Sequence, residues 1–264
     1  MTLKSIYIAF GALLVSSTFI STACAQNLTV LASGGFYAPF EKLTPGFEIS
    51  TGAHITPVHG ASMGSTSTAI PNRLARNEPA DVVIMSRPDL DLLAKKGLVV
   101  EGSQVDLVRS KIGMAVKTGA PLPDIRTVAA FRLTLLAAKS IAYSDSASGV
   151  YIASEMYKKM GIEDQVGPKS KRILGDPVGA VVAKGEAEIG FQQMSELKPI
   201  AGITVVGTIP EEVQKVTMFA AGVVTTSEHK DKAKALIQFL AARAACPVIE
   251  QSALEPVACA EQKK

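Results

Sequence analysis

Four short loops of small residues are the places where this chain could do chemistry. They are Ser33-Gly34-Gly35, Ser62-Met63-Gly64-Ser65-Thr66, Ser146-Ala147-Ser148-Gly149 and Gly175-Asp176-Pro177-Val178-Gly179. Each ends a strand-like run and opens a helix-like one. A helix start carries backbone N–H groups with no intrahelical partner, and the macrodipole makes that end partly positive. Serine and glycine let an oxyanion come close enough to accept several of those hydrogen bonds. A single loop of this kind reads more readily as an ordinary N-cap. Four of them, all at strand ends, point to one cleft that binds a small anion.

Proton transfer on such an anion would need a titratable group beside the loops. His59 closes the second strand next to the Ser62 loop, and its pKa range suits the task. Tyr37 and Tyr151 open helices behind two of the loops, and Glu155 lies one helical turn after Tyr151. Each also has an ordinary reading, as an exposed loop histidine, a packing ring or a solvated helix face. Other chemistries find no support. There is no G-x-S-x-G elbow. The glycines form neither G-x-G-x-x-G nor a P-loop. His54, His59 and His229 lack zinc-ligand spacing, so no metal and no cofactor is expected.

The elements that must position these loops alternate regularly. Strand-like runs are Asn27–Ala32, His54–Val58, Ala80–Met85, Lys111–Lys117, Ser140–Ser144, Lys171–Leu174, Ile189–Gln192, Thr204–Gly207 and Val216–Thr225. Helix-like runs between them are Phe36–Thr51, Pro71–Arg76, Pro88–Lys96, Thr127–Leu136, Val150–Met160 and Pro177–Lys184, with Lys230–Ala241 closing the chain. Such alternation predicts an α/β protein with mostly parallel sheets covered on both faces. Ligands of such sheets bind at the carboxyl ends of the strands, which is where the loops fall.

Composition narrows the function classes. Of the 264 residues, 47% are hydrophobic and 19% charged, enough for a sizeable core. A formal charge of +3 and the absence of tryptophan argue against nucleic acid and against a stacking platform for bases or sugars. The first residues read as an export signal over 1–25: Lys4, an apolar run from Ile6 to Ile20, then Ala23-Cys24-Ala25 before cleavage at Gln26. The mature chain is therefore expected in the periplasm. It keeps Cys246 and Cys259, which can pair in that compartment to staple the C-terminal tail.

On these residues the chain resembles the periplasmic solute-binding proteins of the molybdate-binding type. The likeness is carried by LTVLASGGFYAPFEKLTPGFEISTGAHITPVHGASMGST, RLARNEPADVVIM, SIAYSDSASGVY and DPVGAVVAKGEAEIGF. It implies a two-lobed fold in which two crossing strands form the hinge and the ligand is clamped between lobes. Lobe 1 would comprise residues 26–108 plus 219–264, and lobe 2 residues 109–218. By matched position Ser33, Ser62, Ala147 and Val178 stand where that family places hydroxyl and backbone donors. Their neighbours Gly34, Gly35, Met63, Gly64, Ser65, Ser146, Ser148, Gly149 and Gln192 complete the expected ligand set.

Two departures bear on the ligand. The family's usual tyrosine on the strand Ile189–Gln192 is Phe191 here, and the stretch SMGSTSTAIPNRLARNEPADV is longer than usual. That stretch brings Arg73 and Arg76, with Arg87 nearby. Arginine forks favour carboxylates, so Arg76 is expected in the site and a polycarboxylate is expected over a metal oxyanion. A closer likeness is to an offshoot of the family that includes an exported enzyme interconverting cis- and trans-aconitate. It implies an isomerase with His59, Tyr37 and Tyr151 as candidate proton carriers. The alternative is a receptor handing molybdate-like oxyanions or small polycarboxylates to a membrane ABC permease. A monomer is expected in either case.

Overall fold

The computed structural model describes residues 27–260, and the expected export signal lies outside them. Two mixed sheets organise the chain. The first is six-stranded, in the order β11-β4-β10-β3-β1-β2. Its strands are β1 (Asn27–Ala32), β2 (His54–His59), β3 (Val82–Ser86), β4 (Val105–Ser110), β10 (Thr217–Val223) and β11 (Glu255–Pro256). The second is five-stranded, in the order β7-β6-β8-β5-β9. It contains β5 (Ile112–Lys117), β6 (Ile141–Ser144), β7 (Ser170–Ile173), β8 (Ile189–Gln193) and β9 (Ile203–Thr208).

The parallel strands sit side by side in each sheet: β2, β1 and β3 in one, β7, β6 and β8 in the other. The antiparallel strands are those next to the crossings. β4 runs directly into β5 through Lys111, and β9 returns to β10. The outgoing crossing strand pairs antiparallel with β10, and its continuation pairs antiparallel with both β8 and β9. β4 is absent from the strands read off the sequence, because Asp106 and Arg109 interrupt its apolar pattern.

Each sheet carries its own apolar core. In the first, Leu28, Val30, Phe36, Phe40, Phe47, Leu236 and Leu240 pack together. In the second, Ile112, Phe131, Ile152, Tyr157 and Phe191 do so. β3 is buried at every position, as a central strand covered on both faces should be. The expected helix Val150–Met160 begins earlier, as Ala147–Tyr151, and continues through a π-helical turn, Ile152–Met156, to Lys159. Cys246 and Cys259 form a disulfide with their Cα atoms 6.5 Å apart, tying the last helical turns to each other.

Candidate functional site

A cavity of about 390 Å³ lies between the two sheets, at the carboxyl ends of their parallel strands. From the first sheet it is walled by Ser33, Gly34, Gly35, Tyr37, Glu41, His59, Thr66 and Thr68. From the second come Ser146, Ala147, Ser148, Asp176, Gln192, Ser195 and Glu196. The helix Gly34–Thr51 aims its start into this space. Ser33 caps it and is buried, with its N–H donating to the Ile84 carbonyl at 2.8 Å. Among the described residues the Ser33 Oγ has no hydrogen-bond partner. This hydroxyl is therefore not committed to another group among these residues and lies on the cavity wall.

Local sequence explains how the sheets meet here. Pro39 lacks an N–H, so it cannot bond back to the Gly35 carbonyl four residues earlier. The freed Gly35 carbonyl accepts from Ser195 Oγ at 2.9 Å, across the cleft. A Cβ on Gly34 would stand 2.1 Å from Glu196 Oε1, and one on Gly35 would stand 2.1 Å from Phe219 Cζ. At Gly35 the buried Phe219 ring leaves no room for a Cβ, whereas at Gly34 the Glu196 carboxylate would have to move aside. On the opposite rim, the Ser65 N–H donates to Asp145 Oδ2 at 3.0 Å. Gly64 adopts φ of +114°, and a Cβ there would meet the Asp145 carbonyl oxygen at 2.4 Å.

Several expected site residues lie away from the cavity wall, each for a visible reason. Ser62 is buried, and its Oγ accepts from the Ser86 N–H at 2.9 Å. Gly64 and Ser65 belong to the rim contact and Met63 is not among the wall residues, leaving Ala61, Thr66 and Thr68 on the wall. Gly149 packs against the Ser144 carbonyl, behind Ser148. The Val178 N–H, expected as a ligand donor, donates to Gln192 Oε1 at 3.0 Å. The Tyr151 hydroxyl donates to the Val213 carbonyl at 2.8 Å and is buried. Arg76 reaches the Glu78 carboxylate and the Ser67 carbonyl, outside the cavity.

The arginine argument for the ligand fails on the same ground. Arg73 pairs with Glu78, and Arg87 with Asp91 and Asp106. No lysine or arginine lines the cavity among the described residues. The donors that face the cavity are neutral ones: hydroxyls, an amide and helix-start N–H groups. Phe191 is not a wall residue either. It is fully buried, edge to face with Phe131 at 5.9 Å, so the missing tyrosine leaves an apolar core contact.

The titratable groups of the wall differ in their surroundings. Tyr37 and His59 stand edge to face, with ring centroids 5.1 Å apart. Desolvation pulls the His59 pKa below its usual value, with the Glu41 carboxylate opposing and the Arg73 guanidinium adding to the fall. Desolvation raises the Tyr37 hydroxyl, and Glu41 adds to that. Burial pushes the Glu196 carboxyl up to about 7, while the Gln192 side chain and the Gln193 backbone N–H oppose the rise. Glu196 is absent from the sequence-based candidates, as are the wall residues Glu41, Thr68 and Ser195. No local pattern signals Glu196: Gln192, at the end of β8, donates through Nε2 to Glu196 Oε1 at 2.9 Å only once the strand and the next helix are folded.

Comparison with known proteins places this geometry in context. The sequence profile described as bacterial extracellular solute-binding protein matches residues 28–253. The chain is 48% identical over 251 residues to an aconitate isomerase from a Pseudomonas species, covering 95% of this chain and 96% of that protein. Among solved structures, the periplasmic molybdate-binding protein of Azotobacter vinelandii superposes with a TM-score of 0.70 at 18% identity. That match covers 86% of this chain and 98% of the other. The sulfate-binding protein of Mycobacterium tuberculosis gives a TM-score of 0.67 at 22% identity, covering 89% and 88%.

Proposed function

The chain belongs to the bacterial extracellular solute-binding proteins, and we propose that it is an aconitate isomerase, interconverting cis- and trans-aconitate by allylic proton transfer in the cavity between its lobes. The observation that carries this reading is the near-half identity to the Pseudomonas isomerase along almost the whole of both chains. The family binds small solutes, and the neutral donors of this cavity suit an anion. The reaction moves one proton from the methylene carbon to the far carbon of the double bond, which exchanges the two ends of the propene backbone. The intermediate is an allylic carbanion whose charge spreads onto a neighbouring carboxylate.

Stabilising that charge requires donors fixed before the substrate arrives. The Ser33 hydroxyl and the first-turn N–H groups at Gly34 and Gly35 supply them on one wall. Ser146, Ala147 and Ser148 supply them on the other. Closure of the two lobes over the ligand excludes water and strengthens each of these interactions. Residues 26–108 plus 219–264 and residues 109–218 act as the two closing bodies, hinged where β4 meets β5 and β9 returns to β10. The protein works as a monomer in the periplasm after loss of residues 1–25, and its turnover requires no ABC permease.

Incubating the purified mature chain with trans-aconitate, followed by chromatography, is expected to yield cis-aconitate at a rate proportional to protein concentration. Binding of aconitate or molybdate without turnover would instead identify a receptor that serves a permease, and would overturn the isomerase. Removing the Ser33 hydroxyl tests the cavity itself. Ser33→Ala is expected to weaken trans-aconitate binding by about 1.5–3 kcal/mol, the cost of losing one hydrogen bond to a charged acceptor. Calorimetric titration showing unchanged affinity would remove Ser33 from the ligand shell.

A further inference from the structure

Resting on the isomerase reading, we infer that Glu196 is the catalytic residue that carries the migrating proton between the two end carbons of the propene backbone of bound aconitate. Glu196 lies on the cavity wall, on the one-turn helix Met194–Leu197. Its carboxylate crosses the cleft to the start of helix Gly34–Thr51, where the unpartnered Ser33 hydroxyl also lies. Gln192 fixes it in place. The amide oxygen of Gln192 is held by the Val178 N–H, which leaves its nitrogen to donate to Glu196 Oε1. A proton carrier thus stands beside the donors that would hold the substrate carboxylate bearing the developing charge.

The other titratable groups of the wall are less suited. Both Asp145 oxygens are engaged, one by Ser65 and one by Arg172 at 3.3 Å. Glu41 and Asp176 are exposed to solvent. His59 and Tyr37 face one another across the first sheet's wall. Lys198, on the turn after Glu196, points away and donates to the Gln251 carbonyl. Glu196 combines a half-buried place on the wall, a fixed orientation and a carboxyl with both protonation states accessible at neutral pH.

The step balances with one group. The Glu196 carboxylate takes a methylene proton, so a C–H bond breaks and an O–H bond forms. The electron pair enters the allylic system and the adjacent carboxylate. The same O–H then delivers its proton to the opposite terminal carbon, a C–H bond forms there, and the carboxylate is restored. No oxidant, reductant or second substrate takes part.

The experiment compares wild type with Glu196→Gln and Glu196→Asp, measuring kcat, KM, the pH profile and trans-aconitate binding by thermal shift. Glu196→Gln keeps the shape and the Gln192 contact but cannot take the proton. It is expected to lower kcat by about 10²–10⁴-fold while still being stabilised by trans-aconitate. Wild-type kcat/KM is expected to rise through pH 7, and Glu196→Asp to keep a measurable fraction of activity with that rise displaced. Glu196→Gln turning over within about 3-fold of wild type would overturn the assignment, as would a loss confined to KM. In both of those outcomes the isomerase stands, because wild type turns over. Absence of turnover in wild type itself would overturn the isomerase reading, and the role of Glu196 with it.

Discussion

Replacing Gly149 with alanine is expected to destabilise the protein by at least about 3 kcal/mol, the upper end of the cost of overpacking. A Cβ at this position would stand 1.7 Å from the Ser144 carbonyl oxygen, 2.7 Å from its carbon and 2.8 Å from the Ser144 nitrogen. All three are backbone atoms of β6, so no rotamer change can relieve the clash. Either the strand end or the helix start has to move. Ala147 and Ser148, on the cavity wall just before Gly149, would move with it. Urea unfolding should therefore show a lower midpoint, and trans-aconitate should stabilise the variant less than it stabilises wild type. Gly46→Ala is the control. That glycine is exposed within helix Gly34–Thr51, and its Cβ would meet only Phe239 Cζ at 3.5 Å. Helix propensity alone then favours alanine, by about 0.5–1 kcal/mol. Equal midpoints for the two variants would show that the turn at Ser144–Gly149 is looser than described.

Glu196 should make the ligand-free protein less stable as pH rises. Its carboxyl is raised in the folded state from 4.5 to about 7. The native form therefore binds this proton more tightly than the unfolded chain does. Linkage then makes stability fall with increasing pH, starting near the unfolded value and ending as pH passes about 7. At 1.36 kcal/mol per pH unit the loss is at most about 3 kcal/mol. The helix start beside Gly34 favours the ionised form and trims that figure. Urea midpoints at pH 5 and pH 8, compared between wild type and Glu196→Gln, isolate the contribution. The variant is expected to lose less stability over this interval than wild type. Parallel curves would mean that the Glu196 carboxyl is solvated and titrates as an ordinary glutamate. The same burial that strains the empty protein is what would let this group exchange a proton at neutral pH.

The alternation of apolar β-branched runs with amphipathic ones was readable because it follows from local periodicity. So was the position of the small-residue loops, since strand ends and helix starts carry their own residue preferences. Ser33, Gly34, Gly35, Ser146, Ala147 and Ser148 belong to such loops and line one cavity; Gln192, expected from the family resemblance, lines it too. Tyr37 and His59 also reached the wall. Pro39 was visible as a residue without an N–H, yet its consequence, a free Gly35 carbonyl for Ser195, needs a partner 160 positions away.

Three of the misplaced residues are each claimed by another group, two positions away for Arg76 and 62 and 14 positions away for Tyr151 and Val178. Glu78 takes the guanidinium of Arg76, the Val213 carbonyl takes the hydroxyl of Tyr151, and Gln192 takes the N–H of Val178. Glu196 shows the converse. In sequence it is a polar residue at the end of a strand, with nothing to distinguish it from a solvated one. Its desolvation arises because the start of helix Gly34–Thr51 closes over it from the opposite lobe. Periodicity, caps and turn residues act over a few positions, and so the linear chain was enough to determine the elements and the class of loop that meets the ligand. Hydrogen-bond partnership and burial act between segments far apart in sequence. Which side chains are free to act, and which carboxylate shares its proton at neutral pH, was therefore decided by packing across the cleft.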